Sequence, residues 1–291
     1  MSSIQFKQVD VFTALRFQGN PVAVVLQADG MSAERMQQIA RWTNLSETTF
    51  VVAPTDPRAD YHVRIFTPGG ELPFAGHPTI GTAHALLEAG MIEAHDGVLT
   101  QQCAAGLIRL DVTHAIDGTR WIHFELPEPK ISALDADEIA ELEAILGVSL
   151  ALAAPCLVDV GPRWVVAQLP SARAVLEMQP DLQRMKRQDD QGRHAGVVVF
   201  GEHEADAPAR IEVRAFAPAH GIGEDPVCGS GNGSVAAFIR HTDQTGRFGT
   251  DFLSAQGRVL GRAGVLRLIV GVASIQVGGN AVTCIDGQLS I

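Results

Sequence analysis

The chain has 291 residues, of which 46% are hydrophobic and 19% are charged, a composition that favours a folded chain with two modest domains. Its formal net charge of −11 argues against a nucleic-acid partner, because binding to a phosphate backbone requires a basic surface. The N-terminus has no basic segment followed by an apolar run, and Arg267 interrupts the most apolar stretch. We therefore expect neither a signal peptide nor a membrane partner.

Alternation of apolar and polar residues predicts strands over much of the chain, joined by short turns rich in glycine and proline. Ser32 is a suitable N-cap for the first helix, and Gly147 is a suitable stop for the helix DADEIAELEAIL. Pro78 suits the first position of another helix, and Gly90 suits the position after its last turn. In chain order, strands are predicted at NPVAVVL, TTFVV, DYHVRIFTP, TRWIHFEL, RWVVAQL, GVVVF, ARIEVRAFAP, LRLIV, VASIQV and AVTCIDGQLSI. Helices are predicted at SAERMQQIARW, from Pro78, at DADEIAELEAIL, at DLQRMKRQ and at about residues 232–240.

The four cysteines are scattered and form no CxxC pair, which is typical of a reducing, cytoplasmic setting. No spacing of histidines and cysteines predicts a metal site. The run GSGNGS ends on Ser234 where a dinucleotide-binding motif requires glycine. We therefore expect no metal and no organic cofactor. The cysteines are Cys103, Cys156, Cys228 and Cys284.

Two segments of the chain are similar to each other. VRIFTP (residues 63–68) recurs as VRAFAP (residues 213–218), an offset of 150 that becomes 153 shortly afterwards. Matches in order across a strand, a loop and a helix start indicate an internal duplication. The loop and helix matches pair Gly70, Glu71, Pro73, Gly76 and Ala83 with Gly223, Glu224, Pro226, Gly229 and Ala236. The repeated glutamates, and the repeated Arg64 and Arg214, are predicted to be structural.

The duplication and the many strands predict an α+β fold of two similar domains. The boundary is placed near residues 113–120, giving a first domain of residues 1–117 and a second of residues 118–281. The patterning leaves open whether the C-terminal strand, about residues 282–291, returns to the first domain.

Glycine stands at both predicted helix entrances, in AGHPT and in CGSGN. A helix N-terminus presents unpaired N–H groups, and glycine allows an anion to approach them closely. Gly76 and Gly229 are therefore candidates for binding a small carboxylate. The alternative is that both are only turn residues.

At these residues the sequence resembles the PhzF-type phenazine-biosynthesis isomerase family, within the diaminopimelate epimerase-like superfamily. The matching segments are GNPVAVV, NLSETTFV, RIFTP with ELPFAGHPTIGTAHAL, and GEDPVCGSGNG. The resemblance implies two pseudo-symmetric, mainly antiparallel β-barrel domains, each around a central α-helix, with the active site in the cleft between them. It also implies a small-molecule carboxylate substrate and a homodimer.

The superfamily's racemases use a cysteine from each half, whereas here Ala75 occupies one of the two positions. Alanine cannot carry a proton, so a two-thiol racemase is disfavoured. The resemblance implies instead that Glu47, from the SET segment, is the acid/base. It further implies catalytic roles for His77 and Asp225. The implied substrate-binding residues are Ser46, Gly76, Gly229, Ser230 and Cys228, the last standing where family members usually have threonine.

These residues suggest the hypothesis that Glu47 moves a proton between two carbons of a small cyclic or unsaturated amino or hydroxy acid. This requires a raised carboxyl pKa, for which Phe50 and Phe74 are candidate apolar neighbours. The alternative for Glu47 is a surface residue in a turn.

Cys228 is either a one-thiol epimerase base, its pKa lowered by a helix N-terminus, or a buried packing residue. A non-catalytic ligand-binding protein on the same scaffold is the third alternative. The resemblance points to dihydro-hydroxyanthranilate-like substrates.

Overall fold

A computed structural model describes residues 3–150 and 153–291. The chain divides into two compact units, the first formed by Met1–Glu125 together with Gly278–Ile291, and the second by Leu126–Val277. The C-terminal strand, Ala281–Ser290, pairs along its length with Ser3–Val11 and so belongs to the first unit.

The first unit is a strand meander with two helices. Its strands are β1 (Ser3–Val11), β2 (Asn20–Val25), β3 (Thr48–Val52), β4 (Tyr61–Phe66), β5 (Glu71–Leu72), β6 (Val98–Cys103), β7 (Gly106–His114), β8 (Arg120–Glu125) and β18 (Ala281–Ser290), and its helices are α1 (Ala33–Thr43) and α2 (Gly76–Glu88). Pairing is antiparallel for β18–β1, β1–β2, β3–β4, β4–β5, β6–β7 and β7–β8, and parallel for β2–β3 and β4–β6. Helix α2 contacts β1, β2, β3, β8 and β18, which places it at the centre of the unit.

The second unit repeats this plan. Its strands are β9 (Lys130–Ala133), β10 (Cys156–Asp159), β11 (Arg163–Gln168), β12 (Gly196–Glu202), β13 (Ile211–Ala217), β14 (Ile222–Asp225), β15 (Asp251–Gln256), β16 (Gly264–Val270) and β17 (Ile275–Gly279), whose last two residues belong to the first unit. Its helices are α3 (Ala136–Leu146), α4 (Ala172–Glu177), α5 (Leu182–Gly192), α6 (Gly229–His241) and α7 (Thr245–Phe248). Helix α6 contacts β10, β11, β12 and β16.

The order of pairing is the same in the two units. In the second unit β11–β12 and β13–β15 are parallel, while β9–β10, β10–β11, β12–β13, β13–β14 and β15–β16 are antiparallel. Each parallel pair has its counterpart in the first unit. The predicted fold class is confirmed: the units are mainly antiparallel, each with a central helix of small and apolar residues.

The repeated ion pairs are structural, as predicted. Arg64 makes two hydrogen bonds of 2.7 Å to the carboxylate of Glu71, and Arg214 makes the equivalent pair to Glu224 at 2.9 and 2.8 Å. Each guanidinium also lies over the phenylalanine two residues further along its strand. Each pair joins β4 or β13 to the short strand that precedes the central helix, β5 or β14, and braces that strand in both units.

The ends of the central helices differ from the prediction. Helix α2 begins at Gly76, so Pro78 is its third residue and not its first. Helix α6 begins at Gly229, three residues before the predicted start. The helix starts were predicted too late because glycine disfavours helix interiors. In these two helices, however, burial on all sides favours small residues such as glycine. Among the described residues, no helix is long and apolar enough to span a membrane.

Candidate functional site

The loop between α1 and β3 carries Ser46 and Glu47. Helix α1 is capped by the Ser32 hydroxyl and ends at Asn44, whose φ of 54° turns the chain back toward the sheet. Strand β3 then runs parallel to β2, and the Ala23 N–H donates to the Glu47 carbonyl at 3.4 Å. The backbone of Glu47 is therefore held at the end of a central strand rather than in a free surface turn.

His77 occupies the first turn of α2 and faces Glu47. Its Nε2 lies 3.3 Å from Oε2 of Glu47, and the two side chains are 8% and 15% exposed. The helix is tied to the strand that follows Glu47, because the Thr82 hydroxyl donates to that of Thr49 at 2.9 Å. The structure thus brings two of the predicted catalytic side chains together and shields both from bulk solvent.

His77 is neutral at physiological pH. Burial lowers the pKa of His77 from 6.5 to about 3, against a hydrogen bond with the Pro21 backbone that raises it. Pro21 has no N–H, so the imidazole must donate to its carbonyl. Since Nε2 faces Glu47, the donor is the other ring nitrogen, Nδ1, and Nε2 presents a lone pair. The contact with Glu47 is therefore favourable when a proton lies between the carboxyl oxygen and Nε2.

Gly76, the first residue of α2, has no room for a side chain on the side that faces Phe124. The N-cap of the helix, Ala75, provides no side-chain hydrogen bond to the first turn. A Cβ on Gly76 would lie 2.6 Å from Cζ of Phe124, whose ring also packs edge-on against Phe74. Phe50, the other predicted apolar neighbour of Glu47, packs against Phe66 in the core beneath α1. The glycine lets the Phe124 ring lie directly over the start of the helix.

The second unit gathers Asp225, Cys228 and Ser230 at the start of α6. Burial raises the pKa of Asp225 from 3.8 to about 6, although hydrogen bonds from the Val227 N–H and the Cys228 thiol lower it. The Sγ of Cys228 lies 3.6 Å from the Ser230 hydroxyl oxygen, which also accepts a hydrogen bond of 3.0 Å from the Trp164 indole. Gly229 is the first residue of the helix that carries this cluster.

Cys228 is a protonated, buried thiol. Burial raises its pKa well above 9, and the neighbouring Asp225 raises it further, while the hydrogen bonds from Ser230 and from the Gly231 N–H lower it by less. The expectation that the helix N-terminus favours a thiolate was therefore wrong. Desolvation and a nearby carboxyl group outweigh the helix dipole. Cys228 instead caps α6, its sulfur accepting from the Gly231 N–H at 3.3 Å.

Three residues of these clusters were missed by the sequence analysis. The Pro21 carbonyl sets the tautomer of His77, and Asn232 and Gln256 bond the loop that carries Asp225 and Cys228. No local pattern marks them, because each acts through a tertiary contact. Among the described residues, no group of three or more His, Cys, Asp and Glu side chains is arranged to hold a metal ion.

Two related units, each built around a central helix, define the diaminopimelate epimerase-like fold class. Residues 9–287 match the model of the family described as phenazine biosynthesis-like protein, PhzC-PhzF, and the chain belongs to this family. It is an isomerase of the PhzF type.

Relatives cover nearly the whole chain. The Antisense-enhancing sequence 1 protein of Schizosaccharomyces pombe is 43% identical over 99% of both chains. The trans-2,3-dihydro-3-hydroxyanthranilate isomerase of Pseudomonas chlororaphis is 35% identical over 94% of this chain and 95% of its own. The crystal structure of a Bacillus anthracis PhzF-family protein matches with a TM-score of 0.87 and 26% identity over all of both chains. The predicted homodimer and cytoplasmic location stay predictions.

Proposed function

We propose that Glu47 is the proton carrier of an isomerase that acts on a small cyclic or unsaturated amino or hydroxy acid. The observation that carries the proposal is the Oε2–Nε2 contact of 3.3 Å between Glu47 and the neutral imidazole of His77. When Glu47 is protonated, its proton is stabilised by the Nε2 lone pair. In the ionised pair the carboxylate faces that lone pair without a proton, which makes it a base.

The proposed reaction conserves all atoms. The Glu47 carboxylate takes a proton from one carbon of the substrate, the electron pair of that C–H bond forms a new double bond, and the existing double bond shifts. The protonated carboxyl then returns the proton to a second carbon of the same substrate. His77 holds the carboxyl in place and stabilises its protonated form, so one side chain serves as base and as acid.

The substrate carboxylate is proposed to bind the first N–H groups of α2, at Gly76 and His77. No side chain of the N-cap Ala75 occupies them, and a helix N-terminus favours an anion. Asp225 is proposed to orient a polar substrate group or to relay a proton, since a carboxyl whose pKa is about 6 changes charge near neutral pH. The roles of Ser46, Gly229, Ser230 and Cys228 in substrate binding stay predictions.

The substrate class is proposed from the relatives. Several of them are named trans-2,3-dihydro-3-hydroxyanthranilate isomerases and are 32–35% identical to this chain. Their named substrate is a cyclic acid with both amino and hydroxy groups, and it is the first compound to test.

The test is Glu47→Gln, assayed with trans-2,3-dihydro-3-hydroxyanthranilate in D₂O by mass spectrometry. Turnover and deuterium incorporation are expected to fall by about 10²–10⁴-fold, with ligand binding retained. The control is Glu71→Gln, which changes a glutamate of the same unit that is paired with Arg64. Loss of turnover in the control alone, or full activity of Glu47→Gln, would overturn the proposal.

A one-thiol mechanism through Cys228 is disfavoured, because a thiol whose pKa lies well above 9 is almost entirely protonated at neutral pH. A purely ligand-binding protein would retain its biological activity after Glu47→Gln. Glu47→Gln with its control Glu71→Gln separates the proposal from a purely ligand-binding protein. Cys228→Ser separates it from the one-thiol mechanism.

A further inference from the structure

The loop from Asp225 to Cys228 is closed by a single side chain, that of Gln256 at the end of β15. Its Nε2 donates to the Asp225 carbonyl at 2.8 Å, and its Oε1 accepts from the Cys228 N–H at 3.0 Å. Gln256 is 1% exposed, so both bonds lie out of water. One amide therefore joins the first and the last residue of the loop and fixes its span.

A second amide fixes the orientation of the first. The Nδ2 of Asn232, on α6, donates to Oε1 of Gln256 at 2.8 Å and to the Cys228 carbonyl at 2.9 Å. The Oδ1 of Asn232 accepts from the Ser254 hydroxyl. Because Oε1 of Gln256 accepts two hydrogen bonds, a flipped amide would place its NH₂ group against two donors. The Gln256 side chain is therefore held in one orientation.

Part of this network belongs to the duplicated fold. Gln101 of β6 donates to the hydroxyl of Thr79 on α2 at 3.0 Å, and Ser254 of β15 donates to Asn232 on α6. Asn232 lies 153 residues after Thr79, the offset of the repeat. The strand registers agree, since Gln101 pairs with Tyr61 and Ser254 pairs with Ile211, which lies 150 residues after Tyr61. A strand-to-helix bond of this kind is thus common to both units.

Among the described residues of the first unit, no side-chain amide makes the corresponding bonds to the loop before α2; that loop is held instead by the Ala105 N–H, which donates to the Pro73 carbonyl at 3.1 Å. Cys103 follows Gln101 by two residues, as Gln256 follows Ser254, so Cys103 is the equivalent of Gln256 in the first unit. Its side chain has no amide group. The repeat partner of Asp225 is Leu72. We call the two bonds from Gln256 to the loop the clamp. The first unit folds without a clamp, so the fold does not require it. The clamp is found in the unit whose loop carries Asp225.

We propose that Gln256 is a positioning residue, which holds the loop of residues 225–228, and with it the Asp225 carboxyl, in the geometry that the reaction requires. It acts through the loop and does not touch the substrate. The proposal rests on the proposed role of Asp225 for its effect on turnover, but its effect on the geometry of the loop can be measured separately.

The test uses Gln256→Met, which keeps the length of the side chain and removes all of its hydrogen bonds. Protein is labelled with ¹³C at cysteine Cβ, the Cys228 resonance is assigned with Cys228→Ser, and it is followed over pH. In the wild type this resonance reports the ionisation of Asp225, to which the thiol donates. In Gln256→Met the loss of both bonds is expected to loosen the loop and admit water, so that the midpoint falls by about one pH unit or more. The kcat for trans-2,3-dihydro-3-hydroxyanthranilate is expected to fall about tenfold, with KM little changed.

Gln101→Met is the matched control, because it removes a buried glutamine from the unit that has no clamp. It is expected to leave the Cys228 midpoint unchanged. If Gln256→Met fails to fold, Gln256→Asn keeps an uncharged amide at this position, is one methylene too short to bond both the Asp225 carbonyl and the Cys228 N–H, and carries the same expectation. An unchanged midpoint in the Gln256 variant, or an equal shift in both, would overturn the proposal. A shifted midpoint supports it even if Glu47→Gln proves active, so failure of the proposed function is recognised separately.

Discussion

Replacing Asp225 by asparagine is expected to stabilise the second unit at alkaline pH while impairing the reaction. Burial raises the pKa of this carboxyl from 3.8 to about 6. A group whose pKa is higher in the folded protein favours folding while it is protonated. Its contribution is complete below pH 3.8 and is lost as the pH rises through 6. The difference between the two pKa values corresponds to about 3 kcal/mol.

Asparagine cannot ionise, so the pH-dependent loss is absent from Asp225→Asn. The variant keeps an oxygen for the Val227 N–H and loses the acceptor for the Cys228 thiol, a constant cost of about 1 kcal/mol. The free energy of unfolding of the variant, minus that of the wild type, should therefore rise by about 3 kcal/mol between about pH 4 and pH 8.

The assay is urea unfolding at several pH values, followed by the fluorescence of Trp164 after Trp42 and Trp121 are replaced by phenylalanine. Taking the difference between variant and wild type cancels the titration of all other groups. Asp206→Asn, the same chemical change at an exposed residue of the same unit, is the control, and a pH-dependent difference of equal size there would show that burial of Asp225 is not the cause. If the free energy of unfolding of Asp225→Asn, minus that of the wild type, stays constant with pH, the raised pKa of Asp225 is refuted.

Three further predictions concern Cys228, Gly76 and Asp189. Cys228→Ser should keep turnover within about tenfold, and a loss of 10²-fold or more in the same assay would favour a thiol mechanism. Gly76→Ala places a Cβ 2.6 Å from Cζ of Phe124 and should cost about 1–3 kcal/mol in urea unfolding. Combination with Phe124→Leu should recover more than half of that cost, and no recovery would exclude the clash as its cause. Asp189→Asn should stabilise the protein by up to about 4 kcal/mol at pH 8, because burial and the nearby Asp190 raise the pKa of Asp189 to about 7. Asp206→Asn is the exposed control, and equal effects of the two changes would contradict the assignment.

Local patterns predicted the features that depend on local chemistry. The Ser32 cap, the left-handed Gly147 after α3 and the left-handed Gly90 after α2 lie where turn and capping preferences place them. The duplication was visible because both copies keep the same bracing residues. Glu71 and Glu224 recur at one offset, and each binds the arginine of its own repeat.

Buried polar residues hid several strands from the pattern. Strand β1 was missed because Lys7 lies on its buried side, where Glu88 and Asp286 neutralise it at 2.8 and 2.7 Å. Strand β6 was not predicted, and one reason is that Gln101 on this strand is a polar residue that is fully buried. A partner distant in sequence lets a polar side chain occupy a core position, and no window of neighbouring residues reveals that partner.

The candidate site was predicted from family resemblance more than from residue patterns. Glu47 and His77 are 30 residues apart, and only folding shows that their side chains meet. The protonation states could not be read from sequence. Burial determines the protonation state of both His77 and Cys228. For Cys228 it raises the pKa, which is the reverse of the effect expected from a helix N-terminus.

The most direct test of the central proposal follows one deuterium from carbon to carbon. Trans-2,3-dihydro-3-hydroxyanthranilate carrying deuterium at the carbon that loses its proton is converted in H₂O, and the product is analysed by mass spectrometry. A single shielded carboxyl that takes and returns the same hydrogen predicts that some product retains deuterium at the new carbon, and that Glu47→Gln forms almost none. Transfer at the wild-type rate in Glu47→Gln would contradict the account.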